Sequence, residues 1–150
     1  MKPIVLTIIL LIAGFSSKAQ TLNDYLYNAV IGKDTLQVEK LLDSGGDANY
    51  IKKAGEAEMP LLTISVVNGD FTTVKLLLKH RADANKKDWF NTSPLMYAAK
   101  AGNLMVIKLL LNYGADINAQ DGQGNTVLSA AKEGKNTEVI TFIESLLNKK

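Results

Sequence analysis

One block of this chain occurs twice at a fixed distance. The stretch "LTISVVNGDFTTVKLLLKHRADANKKD" starts at Leu62, and "LMYAAKAGNLMVIKLLLNYGADINAQD" starts at Leu95. Gly69 matches Gly102, Val74 matches Ile107, Leu76-Leu77-Leu78 matches Leu109-Leu110-Leu111, Asp83 matches Asp116 and Asn85 matches Asn118, all at an offset of 33 residues. A third copy lies upstream in "AVIGKDTLQVEKLLDSGGDAN", with Asp47 and Asn49 at its end and a link to the next copy that is three residues longer. A partial fourth, "GNTVLSAAKEGKNTEVITFIESLLNKK", closes the chain. Self-similarity at such a period constrains the fold more than any composition, because each unit must bury its apolar face against its neighbours.

Each unit reads as two helices. Ala98 and Ala99 are small enough for a short first helix to pack closely. Gly102 ends that helix and permits a left-handed backbone turn. Val106, Leu109 and Leu110 then recur at helical spacing, the apolar stripe of a second helix that stops at Gly114. Asp116 and Asn118 suit side-chain bonds to local amides. Ser93, with Pro94 after it, and Thr126 are placed to cap the first helix of the following unit.

These residues resemble the ankyrin-repeat family. The likeness spans residues 22–148 and rests on Ser93-Pro94-Leu95, Ala98-Ala99, Gly102, the leucines at 109–111, Gly114-Ala115-Asp116-Ile117-Asn118 and the turn "DGQGNTVL" from Asp121. It implies an all-α solenoid of about four stacked helix-turn-helix repeats, near 22–54, 55–88, 89–121 and 122–150, with hairpin turns between them. Several positions depart from the family pattern. Leu61 replaces the usual proline, with Pro60 one place early, and Ser65-Val66 replaces the small pair, which predicts slightly wider packing. Arg81 stands where the glycine of "GAD" belongs, so that turn is strained or reshaped. The histidine of "TPLH" is Leu62, Met96 or Ser129 here, which predicts hairpins held less firmly. Tyr25 and Tyr27 are expected to cover the first helix, and Phe142, Ile143, Leu146 and Leu147 to close the stack.

The resemblance implies a protein-binding module whose contacts come from hairpin tips and the first helix of each repeat. It places Trp89, the only tryptophan, and Phe90 at the tip between the second and third repeats. Asn91 sits at the glycine position there and tolerates a left-handed conformation. The corresponding positions are Gly55 to Glu58 in the previous turn and Gly122-Gln123 in the next, so one hairpin of the three carries aromatics. The candidate partner-binding residues are therefore Trp89, Phe90, Thr92, Met96, Tyr97, Lys100 and Gln123. Two alternatives stay open at this stage. The indole folds back over the stems of Lys86 and Lys87, or Met96 packs in the place of the missing histidine. Ala101, Thr63, Val67, Asn68, Ser129 and Glu133 complete the expected inner surface.

The first 19 residues read as a secretory signal: Lys2, the apolar run Ile4 to Phe15, then Ser17-Lys18-Ala19 at the spacing of a cleavage site. The domain that remains is 20–150, and a retained anchor is the alternative to cleavage. Cleavage after Ala19 removes Lys2 and Lys18 and no acid, which takes the formal charge from +2 to zero. A neutral exported chain is a poor nucleic-acid ligand. A periplasmic or secreted monomer follows, with no membrane insertion after cleavage.

Nothing in the residues calls for a cofactor, a metal or a catalytic group. The chain has no cysteine and one histidine, His80. Gly122-Gln123-Gly124 lacks the strand and the Lys-Ser/Thr of a phosphate loop. Asp47, Asp83 and Asp116 recur with the fold and are expected to stabilise turns. Asn91-Thr92-Ser93 is a glycosylation sequon, relevant only in a eukaryote, and the signal looks bacterial. The sequence thus points to an adaptor or assembly partner for another envelope protein. The alternative is an inhibitor or immunity protein that masks a toxin or enzyme.

Overall fold

The computed structural model describes residues 21–52 and 58–148. The expected signal at 1–19, the first hairpin tip near Gly55 and Glu56, and Lys149-Lys150 lie outside these residues. Eight helices are present among the described residues: α1 (21–31), α2 (Thr35–Asp43), α3 (Leu61–Val67), α4 (Phe71–Lys79), α5 (Pro94–Lys100), α6 (Leu104–Asn112), α7 (Val127–Gly134) and α8 (Thr137–Leu147). They form an all-α repeat solenoid. Helices α3, α5 and α7 pack in order as an inner row, α2, α4 and α6 as an outer row, and each inner helix meets the outer helix that follows it.

The sequence dictates each helix pair in the same way. Every outer helix starts at an Asp or Asn whose side chain takes the amide three residues on. Asp34 accepts from Gln37, Asp70 from Thr73, Asn103 from Val106 and Asn136 from Val139, at 3.0–3.1 Å. The inner helices α5 and α7 are capped by Ser93, which accepts from Met96, and Thr126, which accepts from Ser129. The residue before each outer cap is left-handed. It is Gly69 and Gly102 in the middle repeats and Lys33 and Lys135 in the outer ones, at φ 56–71°. Gly102 must stay small, because a Cβ there would come within 2.9 Å of the Asn136 amide.

Burial follows the stacking. Ala98, Ala99 and Ala131 are fully buried between inner helices, as are Val74, Leu77, Ile107 and Leu110 beneath the outer row. Ser65 and Val66 are buried in the same interface, and the Ser65 hydroxyl donates to the Leu61 carbonyl at 2.9 Å. Ile143 closes the far end at 0% exposure, with Phe142 and Leu147 packed beside it.

Neighbouring repeats are also joined by an asparagine ladder. The Asn49 side chain donates to the Arg81 carbonyl and accepts from the Asp83 amide. Asn85 does the same with the Gly114 carbonyl and the Asp116 amide, at 2.8 and 2.7 Å. Asn23 accepts from the Asp47 amide at the start of the array. Within each turn Asp47, Asp83 and Asp116 take the amide two residues on, the local role expected of them. Arg81 is left-handed at φ 66°, so the turn keeps the glycine geometry and carries its strain.

Three expectations are corrected. Tyr25 does not cover the first helix; it projects into solvent at 60% exposure. Its counterparts Leu61 and Val127 are buried because a preceding repeat lies over them. The third residue of α3, matching Met96 and Ser129, is Thr63 and not Leu62, and Thr63 is wholly buried rather than on the inner surface. Across the repeat boundary, His80 Nε2 lies 3.5 Å from an Asp43 carboxylate oxygen.

Candidate binding groove

The hairpin at Asp88 is built around the carboxylate of Asp88, a residue only 6% exposed. Its Oδ1 accepts from the Phe90 amide at 3.0 Å and the Thr92 amide at 2.9 Å, and its Oδ2 accepts from the Tyr97 hydroxyl at 2.6 Å. Asn91 closes the turn at φ 59°. With its backbone amides gathered inward, the tip has no interior left for side chains, and Trp89 and Phe90 stand out at 51% and 55% exposure. Their rings lie against each other, centroids 3.9 Å apart at 43°. The Asp88 carboxylate beneath fixes the backbone and presents the rings.

The next hairpin repeats the design. Asp121 Oδ1 accepts from the Gln123 and Asn125 amides at 2.8 and 2.9 Å, and Oδ2 from the Asn125 side chain at 2.9 Å. The Asn125 side-chain bond first, joined by the amides of Gln123, Asn125 and Gly124, holds the Asp121 carboxyl below the usual carboxylate range and outweighs the opposing effect of desolvation. The two tips are tied by their main chains, with the Gly122 amide donating to the Phe90 carbonyl at 3.1 Å. A Cβ at Gly122 would sit 3.1 Å from that same oxygen, so glycine lets the tips approach. In the "TPLH" histidine's place, Ser129 pins its turn by accepting from the Thr126 amide and donating to the Thr126 carbonyl, both at 2.8 Å. The hairpins are thus well fastened, by carboxylates and a serine.

Between these tips and helices α5 and α7 lie two adjoining concavities. An inner one of about 200 Å³ is bordered by Met96, Tyr97 and Ser129. An outer one of about 520 Å³ is bordered by Trp89, Phe90 and Gln123, and Thr92 and Lys100 border both. The seven residues singled out in the sequence therefore meet around one groove. They do not contribute alike. Met96 is 3% exposed and shows only an edge at the floor, so it packs in the histidine's place. Tyr97 is half-buried, its hydroxyl spent on Asp88; burial first, then the Asp88 hydrogen bond and charge, push it up to about 12. Lys100 is exposed and paired with Glu133 of the following repeat. Asp88, Asp121 and Asn125 were missed as site builders. Asp88 and Asp121 do sit 33 residues apart ahead of turn residues, which was the signal available.

Farther along the inner helices, the places equivalent to Lys100 and Glu133 hold Val67, 55% exposed, and Ile31, 49% exposed. The row therefore runs from apolar to charged. Among the described residues no group of three or more His, Asp or Glu is placed to hold a metal, and no helix is long and apolar enough to cross a membrane.

A stack of helix pairs joined by protruding hairpins defines a recognition scaffold. The family model for ankyrin repeats (3 copies) matches residues 26–121, and the chain belongs to the ankyrin-repeat family. Helices α7 and α8 add a fourth unit beyond the match. A comparison with curated proteins gave no match. Ankyrin repeats mediate protein–protein interactions and are typically non-catalytic, so the chain is a protein-interaction module.

Proposed function

We infer that the chain is an exported, monomeric ankyrin-repeat binding protein that serves as an adaptor or assembly partner for a periplasmic or secreted protein. The observation that carries the groove as the docking site is the exposed Trp89–Phe90 pair on a tip tied down by Asp88. Large aromatic rings on a preorganised backbone lose little entropy on binding, which is the profile of interface anchors. The apolar run, the charged start and the small-residue cleavage site at 1–19 support export.

The test is affinity capture from the envelope fraction of the producing organism, with the wild type beside a Trp89→Ala/Phe90→Ala variant. A protein held by the wild type and lost by the variant is the expected result. Equal capture by both would move the site away from this tip. Assaying the captured protein alone and in complex then separates the roles: an adaptor leaves its partner active, whereas an inhibitor abolishes that activity.

A further inference from the structure

The groove between the third and fourth repeats is not electrically balanced. Of the side chains that border it, Lys100 is the cation, and Asp121 and Glu133 are anions. Lys100 is already engaged by Glu133. Asp121 is kept ionised by Asn125 and by the tip amides. One negative charge therefore remains at the wall of the groove, in the concavity that two exposed aromatic rings also border. The Glu133 side chain is 63% exposed, so it stays open to a second donor.

These features ask for different properties in a ligand. The rings favour an apolar stem or the flat face of a cation, because the π-face attracts positive charge. The carboxylates favour a cation, most of all a planar donor able to reach both oxygens of one carboxylate. A neutral apolar anchor would strip water from the carboxylates without replacing it. An acidic group would be repelled. An ammonium offers charge without the fork or the stacking face.

Resting on the docking reading above, we propose that this groove takes an arginine side chain of the protein partner, its guanidinium against Glu133 and its stem across the rings of Trp89 and Phe90. Lys100 then acts as a brake. It competes for Glu133 and repels the incoming cation, so only a segment with apolar residues flanking its arginine gains enough from the rings to displace it. The residual charge of Asp121 offsets part of that repulsion.

The experiment is a selection of random peptides displayed on phage, run on the wild-type chain and on the Trp89→Ala/Phe90→Ala variant. The expected result is enrichment of peptides bearing an arginine beside apolar residues, absent on the variant. A selected peptide and its citrulline counterpart, of the same shape but uncharged, are then titrated against the emission of Trp89, the only tryptophan. Citrulline should weaken binding at least ~10-fold, a Glu133→Gln chain should erase most of that difference, and Lys100→Gln should tighten the arginine peptide several-fold. Peptides that need Trp89 and Phe90 but tolerate citrulline would overturn the arginine assignment and leave the docking reading standing. Absence of any peptide dependent on the two rings would overturn both. Unchanged affinity in Lys100→Gln would remove the brake.

Discussion

At the scale of single residues, the consequential one is Asp88, not the tryptophan beside it. A buried carboxylate that accepts two backbone amides and a tyrosine hydroxyl holds the tip in shape, and removing it leaves those donors without their partner. Asp88→Ala is expected to lower stability by about 2–3 kcal/mol, measured by urea unfolding. Trp89→Ala should change it by less than about 0.5 kcal/mol, because the ring is half exposed. Tyr97 supplies a spectroscopic check on the same cluster. Its folded pKa is raised from 10.0 to about 12, so folding favours the protonated phenol. That contribution is fully present below pH 10 and is lost as pH rises through the window up to about 12. Tyrosinate absorbance should show a late-titrating step, and Tyr97→Phe should remove it. Trp89 and Phe90 were legible from the sequence because aromatics in a turn are conspicuous. Asp88 was not, since an aspartate in a turn is ordinary, and only the return of Tyr97 nine residues later brings a hydroxyl to its second oxygen.

At the scale of elements, helix ends follow rules that a sequence displays. Ser93, Pro94, Thr126 and Gly102 could be assigned from local chemistry alone, and the apolar spacing located both helices of a repeat. The turn at Arg81 is the exception that tests the rule. A non-glycine residue at φ 66° is strained, so Arg81→Gly is expected to stabilise the chain by about 1 kcal/mol, seen as a rise in the midpoint of thermal or urea unfolding. Gly102→Ala should act in the opposite sense and by more, about 2 kcal/mol, because the left-handed backbone and the approach to Asn136 penalise it together. The outer-helix caps at Asp34, Asp70, Asn103 and Asn136 escaped notice for a simpler reason. Each follows a Gly or Lys that reads as the end of the preceding helix, and a connection of so few residues leaves no visible loop.

At the scale of the whole molecule, the 33-residue period settled the solenoid before any contact was known, since no single repeat can bury its own stripe. What the period could not display was the bonding between units. Asn49 and Asn85 look local in the sequence, yet their partners lie 29 to 34 residues away and become neighbours only on stacking. Asn85→Ala removes both ladder bonds at the junction after the second repeat. It should cost about 1–3 kcal/mol, and hydrogen exchange should then show the third and fourth repeats opening apart from the second. Loss of protection spread evenly along the chain would contradict that expectation.

The main-chain bond from Gly122 to Phe90 fastens the aromatic tip to the hairpin of the next unit. What this tip offers a partner is therefore fixed by two units at once: one supplies the side chains, the other sets their distance from the groove wall. A few substitutions at a tip can change which side chain is welcomed without touching the core. The spacing between successive tips cannot drift in the same way, because it changes only when a whole repeat is gained or lost. In this chain the chemistry of recognition is freely adjustable, whereas its geometry is graduated like a ruler, in steps one repeat long.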